Sequence, residues 1–195
     1  RCCLSSEVIS SEASFVADLF QLHQVYEKEI KRSKIFDDIQ FKFIFNELPG
    51  IVNTHKKLLG DLKQVHVSYA SEFGPIFLNF VDNFKVSLSF VSKFKKVDEM
   101  IKTKLLRPDA EAKFKEIEDA NESGKTFMSY YITPVQRYPR YPLLIRDLIK
   151  YTPDFHPDKP YLTKALLEID TANKRLDEAS HKIKQKAATI ITDRI

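Results

Sequence analysis

Five histidines and two cysteines are the side chains with which this 195-residue chain could hold a metal ion or arm a nucleophile. Their spacing supports neither use. Cys2 and Cys3 are adjacent and close no useful loop, and no cluster of Cys and His has the spacing of zinc ligands. His55 stands in an apolar stretch with no second His, Cys or paired carboxylate at ligand spacing, which marks a hydrogen-bonded core histidine rather than a ligand or a general base. There is no glycine-rich phosphate loop, no H-E-x-x-H pair and no nucleophile elbow. Covalent catalysis, a metal and an organic cofactor are therefore not expected. The acids and bases that remain are candidates for recognition.

Two carboxylates stand out by position. From Ser5 to about Lys31 the apolar residues Val8, Phe15, Leu19, Leu22, Tyr26 and Ile30 recur at helical spacing, with Ser5 and Ser6 as candidate caps and Glu7 in the first turn. Glu12 falls in the gap of that stripe, so its carboxylate points at the core and needs a partner. Glu7 is one position off the stripe, at the edge of the buried face, where solvent or a bound protein can reach it.

The element that such a helix would pack against is the stretch Phe127 to Thr152. Phe127, Tyr131, Val135, Tyr138, Pro142, Ile145 and Ile149 recur every three or four residues, the pattern of a core-facing helix. Yet Pro134, Pro139 and Pro142 lie inside it, each costing about 3 kcal/mol in a helix interior. Either the helix is bent and packed on both sides, or Pro139 and Pro142 open a fresh helix in its first turn, where the missing N–H is harmless. A loop between two helices is the third reading, and it leaves the unbroken stripe unexplained.

Elsewhere the same periodicity repeats. Residues 34–50 read as one or two short helices ended by Pro49-Gly50, and Ile51, Val52, His55, Leu58, Leu59 and Leu62 as the next stripe. Gly74-Pro75 opens an aromatic-rich stripe through Phe77, Phe80, Phe84, Leu88, Val91 and Phe94, expected as one core helix. A break at Arg107-Pro108-Asp109 precedes a short charged helix. After a proline-punctuated loop, Leu162, Leu166, Ile169, Leu176, Ile183, Ala187 and Ile190 form a long closing helix, with Asn173 and Ser180 at seam positions that need hydrogen-bond partners. Only four glycines occur, where average usage of roughly 7% gives about three times as many. Few tight turns and long helices follow.

The chain is long enough to bury a sizeable core as one domain, residues 1–195, with 1–4 as a flanking segment. A net charge of +4 is spread thinly, densest at Lys93–Lys96, Lys102–Arg107 and the lysines 182, 184 and 186, and no stripe of arginines among aromatics marks a nucleic-acid surface. No signal peptide and no run of about 18 apolar residues occurs. A reducing, cytoplasmic setting is expected, Cys2 and Cys3 being exposed thiols. The start without Met suggests a piece of a longer protein.

Three segments resemble one known family. Glu7-Val8-Ile9-Ser10-Ser11-Glu12-Ala13-Ser14-Phe15-Val16 is similar to the first homology region of the Dbl-homology domain, with Ser11 and Phe15 in place of its Thr and Tyr. Ile44 to Leu59 resembles the second region. Tyr130-Tyr131-Ile132-Thr133-Pro134-Val135-Gln136-Arg137, followed by Arg140-Tyr141-Pro142-Leu143-Leu144, resembles the third. The resemblance covers Glu7 to about Lys186, with all three regions in order.

Proteins of that family are guanine-nucleotide exchange factors for Rho-type small GTPases. The resemblance implies an all-α fold, an elongated bundle of about six long helices, in agreement with the periodicity above. It implies a chain that binds a Rho/Rac-like GTPase, preferentially nucleotide-free, and releases GDP without covalent chemistry; a Dbl-like scaffold with little exchange activity is the alternative. Carried over, the GTPase-binding residues are Glu7, Thr133, Arg140, Tyr141, Leu144 and Asp170. Glu12, His55, Pro134, Gln136 and Arg137 form the structural core of the motifs, with Arg137 the expected partner of Glu12. Thr133 stands where the family commonly has Lys, and Asp170 where Asn is frequent, so exchange strength is the property these departures touch. Lys104, Arg107 and Lys125 are candidates for selecting among GTPases with acidic patches. A pleckstrin-homology domain usually follows in the family, and none is expected within this chain. Membrane contact is expected only through the GTPase or flanking domains.

Overall fold

In a computed structural model the backbone is described for residues 1–65, 67–82 and 84–192, with side chains of all of these except 84–86, 88, 176, 177 and 179–192. The described elements are all helical. Helix α1 runs Cys2–Gln21, passes through a π-helical turn at Leu22–Tyr26 and goes on as Glu27–Ser33. There follow α2 (Asp38–Phe45), α3 (Leu48–Gln64), α4 (Gly74–Val81), α5 (Phe84–Lys104), α6 (Pro108–Asp119), α7 (Phe127–Tyr131), α8 (Thr133–Arg137), α9 (Arg140–Lys150) and α10 (Asp158–Thr192). The six long ones are α1, α3, α5, α6, α9 and α10. At 35 residues α10 would extend about 52 Å, which makes the bundle elongated.

Every apolar residue named for α1 is buried. Its last steps, Leu22 to Tyr26 to Ile30, are four residues each and lag behind a 3.6-residue turn; the π-helical turn takes up the difference. The helix begins earlier than Ser5, at Cys2, so Ser5 and Ser6 are not caps and Glu7 is in the second turn. Ser5 is buried instead.

Prolines open helices more often than they end them. Pro49 and Gly50 fall in the first turn of α3 rather than punctuating the chain. Pro134 lies at the start of α8, Pro139 is the residue before α9, and Pro142 sits in its first turn, so none removes an intrahelical bond. The stretch Phe127–Thr152 is therefore a chain of three helices sharing one stripe: Phe127, Tyr131, Tyr138, Pro142 and Ile145 are buried, Val135 and Ile149 half-buried. The aromatic stripe after Gly74 is two helices, α4 and α5, not one. Phe84, Leu88, Leu176, Ser180, Ile183, Ala187 and Ile190 lie outside the described side chains.

The core falls into two clusters. One gathers Phe15 to Ile30 of α1 with Phe45, Ile51, Phe90, Val97, Phe114 and Phe127. The other gathers Val8 with Leu58, Leu62, Phe77, Phe80, Tyr138, Tyr141, Ile145, Leu162 and Ile169. Helix α1 joins them, its first turns in one and its later turns in the other.

Candidate functional site

The junction of the two clusters is polar. Glu12, fully buried, takes His55 Nδ1 on one carboxylate oxygen at 2.8 Å. Its other oxygen accepts from Arg137 Nε at 3.1 Å, Arg137 Nη2 at 2.6 Å and the Tyr141 hydroxyl at 2.8 Å. Burial pushes this carboxyl up, but the hydrogen bond and charge of His55, with those of Arg137 and Tyr141, outweigh burial and hold it below the usual carboxylate range. Burial likewise pushes the hydroxyls of Tyr138 and Tyr141 far above the phenol range, and the Glu12 charge adds to that, so both are neutral donors. His55 Nε2 meets the Tyr138 hydroxyl at 3.0 Å, and that hydroxyl also contacts Ser87. The Arg137 guanidinium lies over the rings of Tyr141, at 4.8 Å, and Phe15, at 5.7 Å. Four helices, α1, α3, α8 and α9, are thus tied by one carboxylate. Buried charges held this way can fix the register of the helices they join.

The structure corrects two residues, Tyr141 and Gln136. Tyr141, expected at the protein surface, is 1% exposed and bound to Glu12, so it belongs to the framework. The pairing of Glu12 with Arg137 and the core setting of His55 agree with the sequence. Pro134 is buried; Gln136 is exposed and no part of the core.

Around the network lies a surface drawn from three helices. Glu7 is exposed on α1, and no side-chain partner occupies it among the described residues. On α9, Arg140 is exposed, Leu144 half-buried and Leu143 57% exposed, all within one turn. Helix α1 runs antiparallel to α8 and α9, because Arg1 reaches Thr152 beyond the end of α9 while Glu12 reaches Arg137 before its start. Glu7 therefore lies alongside the middle turns of α9, where Leu144 is. On α10, Asp170 accepts from Arg146 Nη2 at 2.8 Å, flanked by Leu167, which is 68% exposed. Thr133 is half-buried and its hydroxyl donates to the Tyr130 carbonyl at 2.8 Å. Among the described residues no group of His, Cys, Asp and Glu is placed to hold a metal ion.

The model of the RhoGEF domain family matches residues 4–177. The chain belongs to the RhoGEF domain family. Over 189 residues it is 32% identical to Protein ECT2 of Homo sapiens, covering 92% of this chain and 21% of that protein. Over 186 residues it is 26% identical to Rac guanine nucleotide exchange factor JJ of Dictyostelium discoideum, covering 93% and 16%. The chain thus spans about a fifth or less of these relatives. Among solved structures, the PDZ-RhoGEF DH/PH domains in complex with GTP-gamma-S activated RhoA superpose with a TM-score of 0.86 at 21% identity, covering 93% of this chain and 54% of that one. The DH domain of FARP2 gives 0.79 at 19% identity, covering 98% and 96%.

In this RhoGEF domain the three cations singled out for selectivity are already engaged. Lys125 donates to Asp18 at 2.8 Å, Arg107 to Asp109 at 2.7 Å, and Lys104 to Gln40 at 3.3 Å beside the Phe36 ring. Lys104 and Arg107 stand by α2, past the far end of α1, so a partner resting on Glu7 must span the bundle to reach them. Asn173 Nδ2 donates to the Tyr138 carbonyl at 3.2 Å, the partner its seam position required, while its Oδ1 has none among the described residues. The residues that sequence reasoning missed are Tyr138, Ser87, Arg1, His156 and Asp158. Tyr138 and Tyr141, three apart on a buried stripe, were the available signal for the first of these.

Proposed function

We propose that this RhoGEF domain accelerates GDP release from a Rho-family GTPase, with Glu7, Arg140 and Leu144 at the centre of the contact. The observation that carries the reading is Glu7: an exposed, unpartnered carboxylate on a helix that the buried Glu12 network holds rigidly against α8 and α9. A side chain held this way can accept hydrogen bonds from a switch segment without first being ordered, so little of the contact energy is lost to entropy. Family membership and relatives named as Rac and Rho exchange factors support the choice of partner.

Exchange then follows from linkage. A domain that binds the nucleotide-free GTPase more tightly than the loaded one weakens nucleotide affinity by the same factor. It does so by moving switch segments whose groups hold Mg²⁺ and phosphate, while touching no nucleotide itself. Thr133 and Asp170 contribute at the margin: the Thr133 hydroxyl keeps only acceptor capacity, and Asp170 engages a partner through or in place of Arg146. Lys125, nearest to Glu7 of the three cations, is the proposed selector, ahead of Lys104 and Arg107. The domain is proposed to work in the cytoplasm and to meet membranes through its GTPase.

The test is release of fluorescent GDP from a panel of Rho-family GTPases. Glu7→Ala is expected to cut release at least about ten-fold, while, as an exposed residue, changing stability by no more than about 0.5 kcal/mol. A second reading, a scaffold that binds without exchanging nucleotide, is favoured by the internal engagement of Thr133 and Asp170. Tight binding to nucleotide-free GTPase with unaltered GDP release would establish it.

A further inference from the structure

Arg1 precedes helix α1, yet its side chain is 2% exposed. Nε donates to Thr152 Oγ1 at 2.9 Å, Nη1 to the Tyr69 carbonyl at 2.7 Å, and Nη2 to the Asp158 carboxylate. Asp158 is fully buried at the start of α10, and it also accepts the backbone N–H groups of Phe73, at 3.0 Å, and Gly74, at 2.7 Å, where α4 begins. His156 closes the cluster: its Nδ1 accepts the Asp158 N–H at 3.1 Å, and its Nε2 lies 2.8 Å from the Tyr69 carbonyl and 3.0 Å from Arg1 Nη1. One guanidinium thus joins the start of α1, the approach to α4 and the turn between α9 and α10.

Nothing local does this work for α1. Its N-cap makes no side-chain hydrogen bond, its first turn holds no acid, and the buried Ser5 hydroxyl has no partner among the described residues. Glu7 lies six residues, or about 9 Å, beyond Arg1 and five residues, or about 7.5 Å, before Glu12. The flanking residues are tied near opposite ends of α9, Arg1 to Thr152 just past its last turn, and Glu12 to Tyr141 in its first turn and to Arg137 of α8 before it.

We infer that Arg1 is a positioning residue for exchange: its buried guanidinium fixes the first two turns of α1 against α9 and so sets where Glu7 meets the GTPase. The inference rests on the proposed role of Glu7. Without Arg1 the Glu12 network and the buried Val8 still hold α1 from residue 8 onward, and the turn that precedes Glu7 loses its polar anchor to Thr152, Tyr69 and Asp158. Lysine at position 1 restores the charge but not the fork of donors that reaches Thr152, Tyr69 and Asp158 together.

The experiment uses the whole chain with Arg1→Lys and with the paired change Arg1→Met plus Asp158→Asn, which leaves no buried charge unmatched and keeps an acceptor for one of the two N–H groups, that of Phe73 or of Gly74. Amide hydrogen exchange over residues 4–9 is expected to speed up about ten-fold or more in the pair, less in Arg1→Lys, with little change around residues 12–19. Affinity for a nucleotide-free Rho-family GTPase is expected to fall about ten-fold in the pair when Glu7 is present, and not to fall further when the pair is added to Glu7→Ala. A loss that simply multiplies with that of Glu7→Ala, or unchanged protection over residues 4–9, overturns the inference while leaving the proposed function standing. If the unsubstituted chain neither binds nor discharges any Rho-family GTPase, the proposed function falls and the positioning role falls with it.

Discussion

Glu12 accepts four hydrogen bonds in a place that water does not reach, and removing it would strand a cation, Arg137, whose own partners hold it against burial. Breaking a buried pair from one side costs about 3–5 kcal/mol, so Glu12→Ala is expected to lower the unfolding free energy by that amount in a denaturant titration. The pH dependence has a definite sign. Because the folded-state carboxyl is held below its ordinary value, its stabilising share is complete above the unfolded value of about 4.3 and disappears as pH falls through the lower folded value. Glu12→Gln is therefore expected to flatten the acid limb of stability below about pH 4.3 and leave the slope above about pH 5 unchanged. Urea midpoints from pH 3 to 7 measure this; an acid limb as steep as the wild type would assign it to other groups, Glu47 first. At this scale the sequence was informative where a polar residue interrupted a stripe. Glu12 in the gap called for a partner and His55 on an apolar face called for a hydrogen bond, and both have them. Tyr141 was carried over from the family resemblance as a GTPase contact, and only the fold decides whether the polar tip of a tyrosine meets a partner or a buried carboxylate.

Between helices, α4 comes close to α10 at Gly74. A Cβ built there would stand 2.5 Å from Tyr161 Cβ and 2.6 Å from Leu162 N, so the start of α4 lies against the backbone of α10 with no room for a side chain. Gly74→Ala is expected to destabilise by about 1–3 kcal/mol through overpacking, while Gly60→Ala, which meets nothing within 4 Å, is expected to be neutral or stabilising by up to about 1 kcal/mol. Thermal unfolding of the two variants side by side checks the contrast. Helix existence was legible from periodicity throughout the described chain, since an apolar stripe must be buried whatever surrounds it. Helix limits were less so. Pro49, Pro134, Pro139 and Pro142 each signal a boundary, but whether a proline closes one helix or opens the next depends on which side is packed first, and here they open. The break between α4 and α5 left no trace in the aromatic stripe because both helices bury the same face type. The cluster of Arg1, His156 and Asp158 was illegible for another reason: Arg1 is about 155 residues away from the other two in sequence and shares no periodic pattern with them.

Across the whole molecule, one long helix passes from one core cluster to the other, and the exposed surface with an unpartnered carboxylate lies over the cluster that contains Val8, Tyr138 and Ile169. No described helix is long and apolar enough to cross a membrane. An elongated helical body of this kind presents a firm face, which the proposed displacement of a partner's switch segments would require. The family resemblance read from three short segments held across residues 4–177, because each segment supplies part of the one buried network: Glu12 from the first, His55 from the second, Arg137 and Tyr141 from the third. The most direct test of the exchange role is the rate of fluorescent-GDP release from Rho-family GTPases at saturating domain, measured for the wild type and Glu7→Ala. The expected result is acceleration over the intrinsic rate for at least one GTPase, lost by about ten-fold or more in Glu7→Ala with its unfolding midpoint unchanged. Release at the intrinsic rate for every GTPase, or full acceleration by the variant, would contradict it.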